Sequence, residues 1–105
     1  LIGMNAVVMD DAEIGPECIV GALAFIPAKT VIPKRSLVVG NPGKVIKSVS
    51  DEMISWKTKG TALYQELPEE CRLTLKECQP LTEIEPNRPD QEKMFETWNA
   101  IKAGK

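Results

Sequence analysis

One period runs through about the first forty residues and decides most of what the chain can fold into. Stepping by six from Ile2 meets Val8, Ile14, Val20, Ile26, Ile32 and Val38, all large aliphatics. Two residues before each of the later positions the side chain is small: Ala6, Ala12, Cys18, Ala24, Thr30, Ser36. The residue after the aliphatic is often glycine or proline, as at Gly3, Gly15, Gly21, Pro27 and Pro33. Three coupled regularities on one period mark a repeat architecture, not a string of independent elements. One aliphatic in six suits a short flat strand followed by a turn, and three such units close a triangular coil of 18 residues.

In that coil the aliphatics stack along the interior. Small residues sit at the corners, where a larger side chain would meet the next coil. Glycine after the aliphatic supplies backbone freedom for the turn. Residues 1–18 and 19–36 make two coils, and 37–42 begin a third. The hexapeptide pattern is that of left-handed parallel β-helices, an exception to the right-handed crossover rule, so the expected fold class is mainly β with α. A coil buries its cross-section only against neighbours, and solenoid ends need caps. The coil at Leu1 would leave strand edges unpaired, and the chain has no initiator Met, so an upstream portion is expected. Leu1, Val7, Ile19, Phe25, Val31 and Leu37 precede the interior aliphatics and face outward. So much apolar surface predicts a homotrimer.

The repeat ends at Val38-Val39-Gly40-Asn41-Pro42-Gly43, a dense turn cluster that takes the chain off the coil. Residues 1–46 are therefore assigned to β-helix coils. Ser48 with Asp51, or Ser50 alone, caps a following helix, in which Met53, Trp56, Gly60, Leu63 and Leu67 recur at spacings of three and four. That stripe predicts docking on the β-helix. Pro68 is placed to open a second helix with Cys71, Leu75 and Cys78 on one face, so 47–78 reads as C-terminal helices. Residues 79–89, with Pro80, Pro86 and Pro89, read as an extended linker. Asp90 then caps a terminal helix over 90–105 with Met94, Phe95, Trp98 and Ile101 on one side, ended by Gly104.

Composition narrows the function. The net charge of −2 gives no electrostatic reason to expect nucleic acid or an anionic membrane as partner. No apolar run approaches the ~20 residues of a membrane span. Leu1-Ile2-Gly3-Met4 lacks the basic region and cleavage site of a signal peptide. Cys18, Cys71 and Cys78 have no metal-ligand spacing and read as reduced thiols of a cytoplasmic protein. The chain has no histidine, which removes the commonest metal ligand and the commonest general base together.

Residues 1–10 (Leu-Ile-Gly-Met-Asn-Ala-Val-Val-Met-Asp), residues 36–46 (Ser-Leu-Val-Val-Gly-Asn-Pro-Gly-Lys-Val-Ile), and the stretch from Trp56 through Gly60-Thr61 to Tyr64 resemble the γ-class carbonic anhydrase-like family. The resemblance is strongest to its phenylacetate-degradation and carnitine-operon branch, and it extends to about residue 89. It implies a trimer whose active sites lie between subunits, with zinc or a similar divalent cation held by three histidines on coils before the stretch seen here. No such ligand exists in this chain, so no metal is expected on it. The resemblance implies that Tyr64 lies near the metal, as a helix tyrosine does in relatives, and that Met4 and Asn5 line the cleft one coil beyond the last ligand. A helix tyrosine and coil-surface residues are the alternative readings of those three side chains.

Three functions remain open at this point. The first is a metal-dependent hydratase or hydrolase, acting on carbon dioxide or an acyl-CoA thioester. The second is a hexapeptide-repeat acyltransferase using acetyl-CoA, which the Gly-Asn-Pro-Gly exit favours. The third is an inactive trimeric scaffold. The C-terminal helices favour the first.

Overall fold

The computed structural model describes residues 1–88 and 96–104. Two units are distinguished, Leu1–Lys57 and Thr58–Lys105. In the first, six short strands follow the six-residue period: β1 (Val7–Val8), β2 (Glu13–Ile14), β3 (Ile19–Val20), β4 (Phe25–Ile26), β5 (Val31–Ile32) and β6 (Ser36–Val39). The first three, β1, β2 and β3, each pair in parallel with the strand one coil later. Val8 lies opposite Ile26, Ile14 opposite Ile32, and Val20 opposite Val38, with a bridge from Ile2 to Val20. The partners are 18 residues apart, so the three sheets are the three sides of the expected triangular coil.

The interior row is where the period placed it. Val20 and Ile26 are 0% exposed, Val38 1% and Ile32 4%. Ile2 and Val8, in the first coil, are exposed in this chain. Cys18, Ala24 and Ser36 from the small-residue row join the core. The polar members of that row satisfy themselves locally: the Thr30 and Ser36 hydroxyls donate to the Pro27 and Pro33 carbonyls, each at 2.7 Å, and the Cys18 thiol donates to the Pro33 carbonyl at 3.1 Å.

The corners correct the reading of the turns. Positive φ falls at Asn5 (56°), Asp11 (57°), Glu17 (58°), Leu23 (61°), Lys29 (61°) and Arg35 (56°), once in every six residues. The turning residue is thus the one just before the small position, not the glycine after the aliphatic. Asparagine and aspartate enter the left-handed region readily, whereas in the other four it costs roughly 1–2 kcal/mol each. Gly3 and Gly15 serve close approach instead. A Cβ on Gly3 would lie 2.4 Å from the Ala22 nitrogen, and one on Gly15 2.6 Å from the Lys34 nitrogen.

The exit also differs from the expectation of a third coil. Gly40 turns at φ 93°, the Asn41–Pro42 bond is cis, and the chain doubles back as β7 (Lys44–Ser48), antiparallel to β6 with a bulge at Leu37/Val38. Gly43 seats on the coil end. Its amide donates to the Phe25 carbonyl at 2.6 Å, and a Cβ there would lie 2.7 Å from Ile26 Cδ1 and 2.9 Å from the Phe25 oxygen. Residues 44–46 thus belong to a returning hairpin strand.

Ser50 resolves the capping alternatives, since its hydroxyl accepts from the Met53 amide at 3.2 Å. Helix α1 (Asp51–Thr74) follows with Asp51 and Glu52 in its first turn, where negative charge is favoured. Pro68 lies inside it and does not open a second helix. Proline cannot donate to the carbonyl four residues earlier. Around it Glu66, Leu67, Glu69, Glu70 and Arg72 are strong helix formers, and Arg72 holds Glu69 at 2.6 and 2.8 Å. Leu75 and Cys78 therefore lie beyond the helix and share no helical face with Cys71. Residues 75–88 carry no helix or strand and are exposed. Helix α2 (Trp98–Ala103) is capped by Thr97, whose hydroxyl accepts from the Ala100 amide at 3.3 Å, and ends at Gly104. The expected cap Asp90 and the side chains of Met94 and Phe95 lie outside the described residues.

Candidate functional site

The three corners of the prism differ in chemistry. At one, Met4-Asn5 is stacked by Ala22-Leu23, with the Leu23 amide donating to the Met4 carbonyl at 3.0 Å. Met4 is 83% exposed and Leu23 71%, so this edge presents apolar side chains to its surroundings. The second edge sets Asp10-Asp11 beneath Lys29, whose amide reaches the Asp10 carbonyl at 3.0 Å. The third sets Glu17 beneath Arg35. Two residues singled out from the sequence, Met4 and Asn5, thus occupy the apolar edge, where Asn5 also fills the left-handed corner position.

Tyr64 belongs to the other unit, in the middle of α1, and is 70% exposed.

Sequence reading did not single out Arg35. Arg35 Nε donates to Glu17 at 2.7 Å and Arg35 Nη2 to Asp51 at 2.6 Å, while the Arg35 carbonyl accepts from the Val49 amide at 2.8 Å. One side chain ties the first coil, the second coil and the start of α1 together. Its pKa is raised, first by the hydrogen bond to Asp51 and then by that to Glu17. With both carboxylates engaged, this guanidinium serves the scaffold. The available signal was a charge pair exactly one coil apart in sequence.

The residues present do not supply the three-histidine metal site that the resemblance implies. The chain has no histidine, and no group of three metal-ligating side chains forms among the described residues. Cys18 is buried and engaged with Pro33, and Cys71 and Cys78 are exposed. Among the described residues no helix is long and apolar enough to cross a membrane.

Comparison with known proteins agrees with this architecture. Over 89 residues the chain is 46% identical to the carnitine operon protein CaiE of Salmonella agona and 45% identical to CaiE of Escherichia coli K12. The chain is a CaiE-related hexapeptide-repeat protein. Each match takes in 85% of this chain and 45% of the relative, so the chain spans about half the length of the curated relatives it matches. No family model matches. Among solved structures, a candidate acetyltransferase from Bacillus cereus superposes with a TM-score of 0.65 at 31% identity, over 67% of this chain and 41% of that one. A hexapeptide transferase family protein from Anaplasma phagocytophilum superposes at 0.62 with 23% identity, over 66% and 42%, and shows the fold alone. The fold is the left-handed parallel β-helix, mainly β with α, that the resemblance to hexapeptide-repeat proteins implied.

Proposed function

We propose that this chain forms the C-terminal share of a trimeric, cytoplasmic, γ-class carbonic anhydrase-like hydrolase or hydratase, with an acyl-CoA thioester as substrate. The observation that carries this reading is the length of the CaiE match. An alignment of 89 residues in a chain of 105 cannot stay within the coils and takes in most of α1, the element bearing Tyr64. In this reading zinc or a similar cation, with its histidines, is supplied by coils outside this chain and would activate water. The chain's own contribution is shape and orientation. Met4 and Asn5 line the cleft, and the adjoining Leu23 makes that edge apolar enough to seat an acyl group.

The B. cereus neighbour favours a second reading, acyl transfer from CoA. The two separate on the whole protein by following free CoA released from a set of acyl-CoA thioesters. Release that needs only water and stops on chelation supports the hydrolase. Release that waits for an amine or alcohol acceptor supports the transferase, and none under either condition leaves the trimer as a scaffold.

A further inference from the structure

The far end of α1 combines weak local structure with two free thiols. Pro68 cannot donate to the Tyr64 carbonyl, so one rung of the helix ladder is missing shortly before the helix ends at Thr74. No glycine or asparagine follows to close the helix in the left-handed conformation; Leu75, Lys76 and Glu77 come instead. The Glu69–Arg72 ion pair in the last turns is exposed on both sides, where such pairs add little. Elements that move are drawn from segments of this low local stability. Cys71 lies on this stretch of helix and Cys78 in the tail just beyond it, both free and exposed. Both belong to the unit Thr58–Lys105. The third thiol, Cys18, is buried and donates to the Pro33 carbonyl at 3.1 Å, so it does not compete with them.

We propose that Cys71 and Cys78 are a redox pair, whose reversible disulfide staples the start of the tail to the end of α1. The Leu75 amide still bonds the Cys71 carbonyl at 2.9 Å, which leaves residues 76–78 to reverse the chain. Leu75 stands about 6 Å along the helix axis beyond Cys71, and three residues reach about 10 Å. The chain can therefore return to the Cα separation of a disulfide, about 5.5–6 Å. Residues 75–80 carry no helix or strand and are exposed, so closure breaks no ladder. The oxidant is a hydroperoxide. One thiol takes an oxygen atom from hydrogen peroxide, becoming a sulfenic acid as one water leaves. The other thiol attacks that sulfur, the S–S bond forms and a second water leaves. Two thiols lose two electrons, and one peroxide becomes two waters. Two equivalents of a small thiol restore the pair by exchange and leave as their own disulfide. A transient disulfide of this kind is the sort a reducing compartment allows. Closed, the loop restrains the fraying end of α1. The inference stands independently of the catalytic reading above.

The test treats the full chain with hydrogen peroxide, alkylates the remaining thiols, and reads the products by peptide mass spectrometry and non-reducing gels. The expected result is a link between Cys71 and Cys78 within one chain, reversed by dithiothreitol. Tryptic cleavage after Lys76, exposed inside the loop, should slow about fivefold in the oxidised chain, because cleavage follows the population of the open form. Cys71→Ser should abolish the link and the slowing and leave Cys78 as a sulfenic acid trapped by dimedone. Unchanged circular dichroism of that variant establishes that its fold is intact. Four outcomes overturn the proposal. They are thiols that stay reduced and alkylate fully, a disulfide found only between two chains, oxidation of both sulfurs to sulfinic acids with no link, and a link that leaves cleavage after Lys76 unchanged.

Discussion

Gly43→Ala tests how the solenoid is closed. The added Cβ would stand 2.7 Å from Ile26 Cδ1, 2.9 Å from the Phe25 carbonyl oxygen and 3.2 Å from Val38 Cγ1. Ile26 and Val38 are fully buried, so neither side chain has free space to retreat into. Overpacking of this kind costs about 2 kcal/mol. Ile26→Val removes Cδ1, and alone it costs about 1 kcal/mol for the lost methyl group. In the double variant the nearest contact is gone while the Phe25 carbonyl and Val38 Cγ1 remain, so the two substitutions together should cost about 2 kcal/mol rather than the sum, a coupling of about 1 kcal/mol. The assay is denaturant unfolding of the four proteins at one fixed concentration, because association with further copies makes apparent stability concentration-dependent. Additivity within about 0.3 kcal/mol, or a neutral Gly43→Ala, would refute the seating of Gly43 on the Ile26 row.

Other outcomes follow from the same geometry. Ile26→Asp sets an unpaired carboxylate in the stacked interior and costs several kcal/mol (about 3 or more), so a soluble, cooperatively melting variant would contradict the register. Leu23→Asn keeps the left-handed corner with a residue that adopts it readily and should raise stability by about 1 kcal/mol; a lower denaturation midpoint counts against strain at that corner. Glu69 is held below its ordinary pKa by its hydrogen bond to Arg72, so its contribution is present above the ordinary glutamate range and is lost as pH falls through the lowered folded value. Helicity followed through acid titration should therefore fall less in Glu69→Gln than in the parent chain, by a small amount because the pair is exposed. Light scattering on a longer protein that includes the proposed upstream coils should give a trimer at micromolar concentration, and a stable monomer would contradict the proposed assembly.

The interior of the fold was open to sequence reading because the coil admits one large side chain in six, and that demand falls on residue type. The turning position makes no such demand. Asn5, Asp11, Glu17, Leu23, Lys29 and Arg35 share a backbone angle and no side-chain property, so composition is silent there. Strand β7 was missed because its five residues face solvent on both sides and no burial pattern is written into them. Pro68 misled through a sound local rule that strong helix formers on either side overrode. Arg35 is connected through partners 18 and 16 residues away, the first brought near by one turn of the coil and the second by the returning strand β7. The candidate site was legible only as a resemblance, since Met4, Asn5 and Tyr64 carry no local chemical signature of catalysis.

The division of labour between this chain and the coils proposed to precede it is tested most directly by metal content. Mass spectrometry after zinc loading, paired with a thioester-hydrolysis assay, is applied to the 105-residue chain and to a longer protein that includes those coils. A catalytic zinc of the proposed kind needs three protein ligands and an open fourth position, and the short chain offers no imidazole and no ligand cluster among its described residues. The account predicts no retained zinc and no CoA release from the short chain, with both present in the longer protein. Stoichiometric zinc and turnover in the 105-residue chain would contradict it.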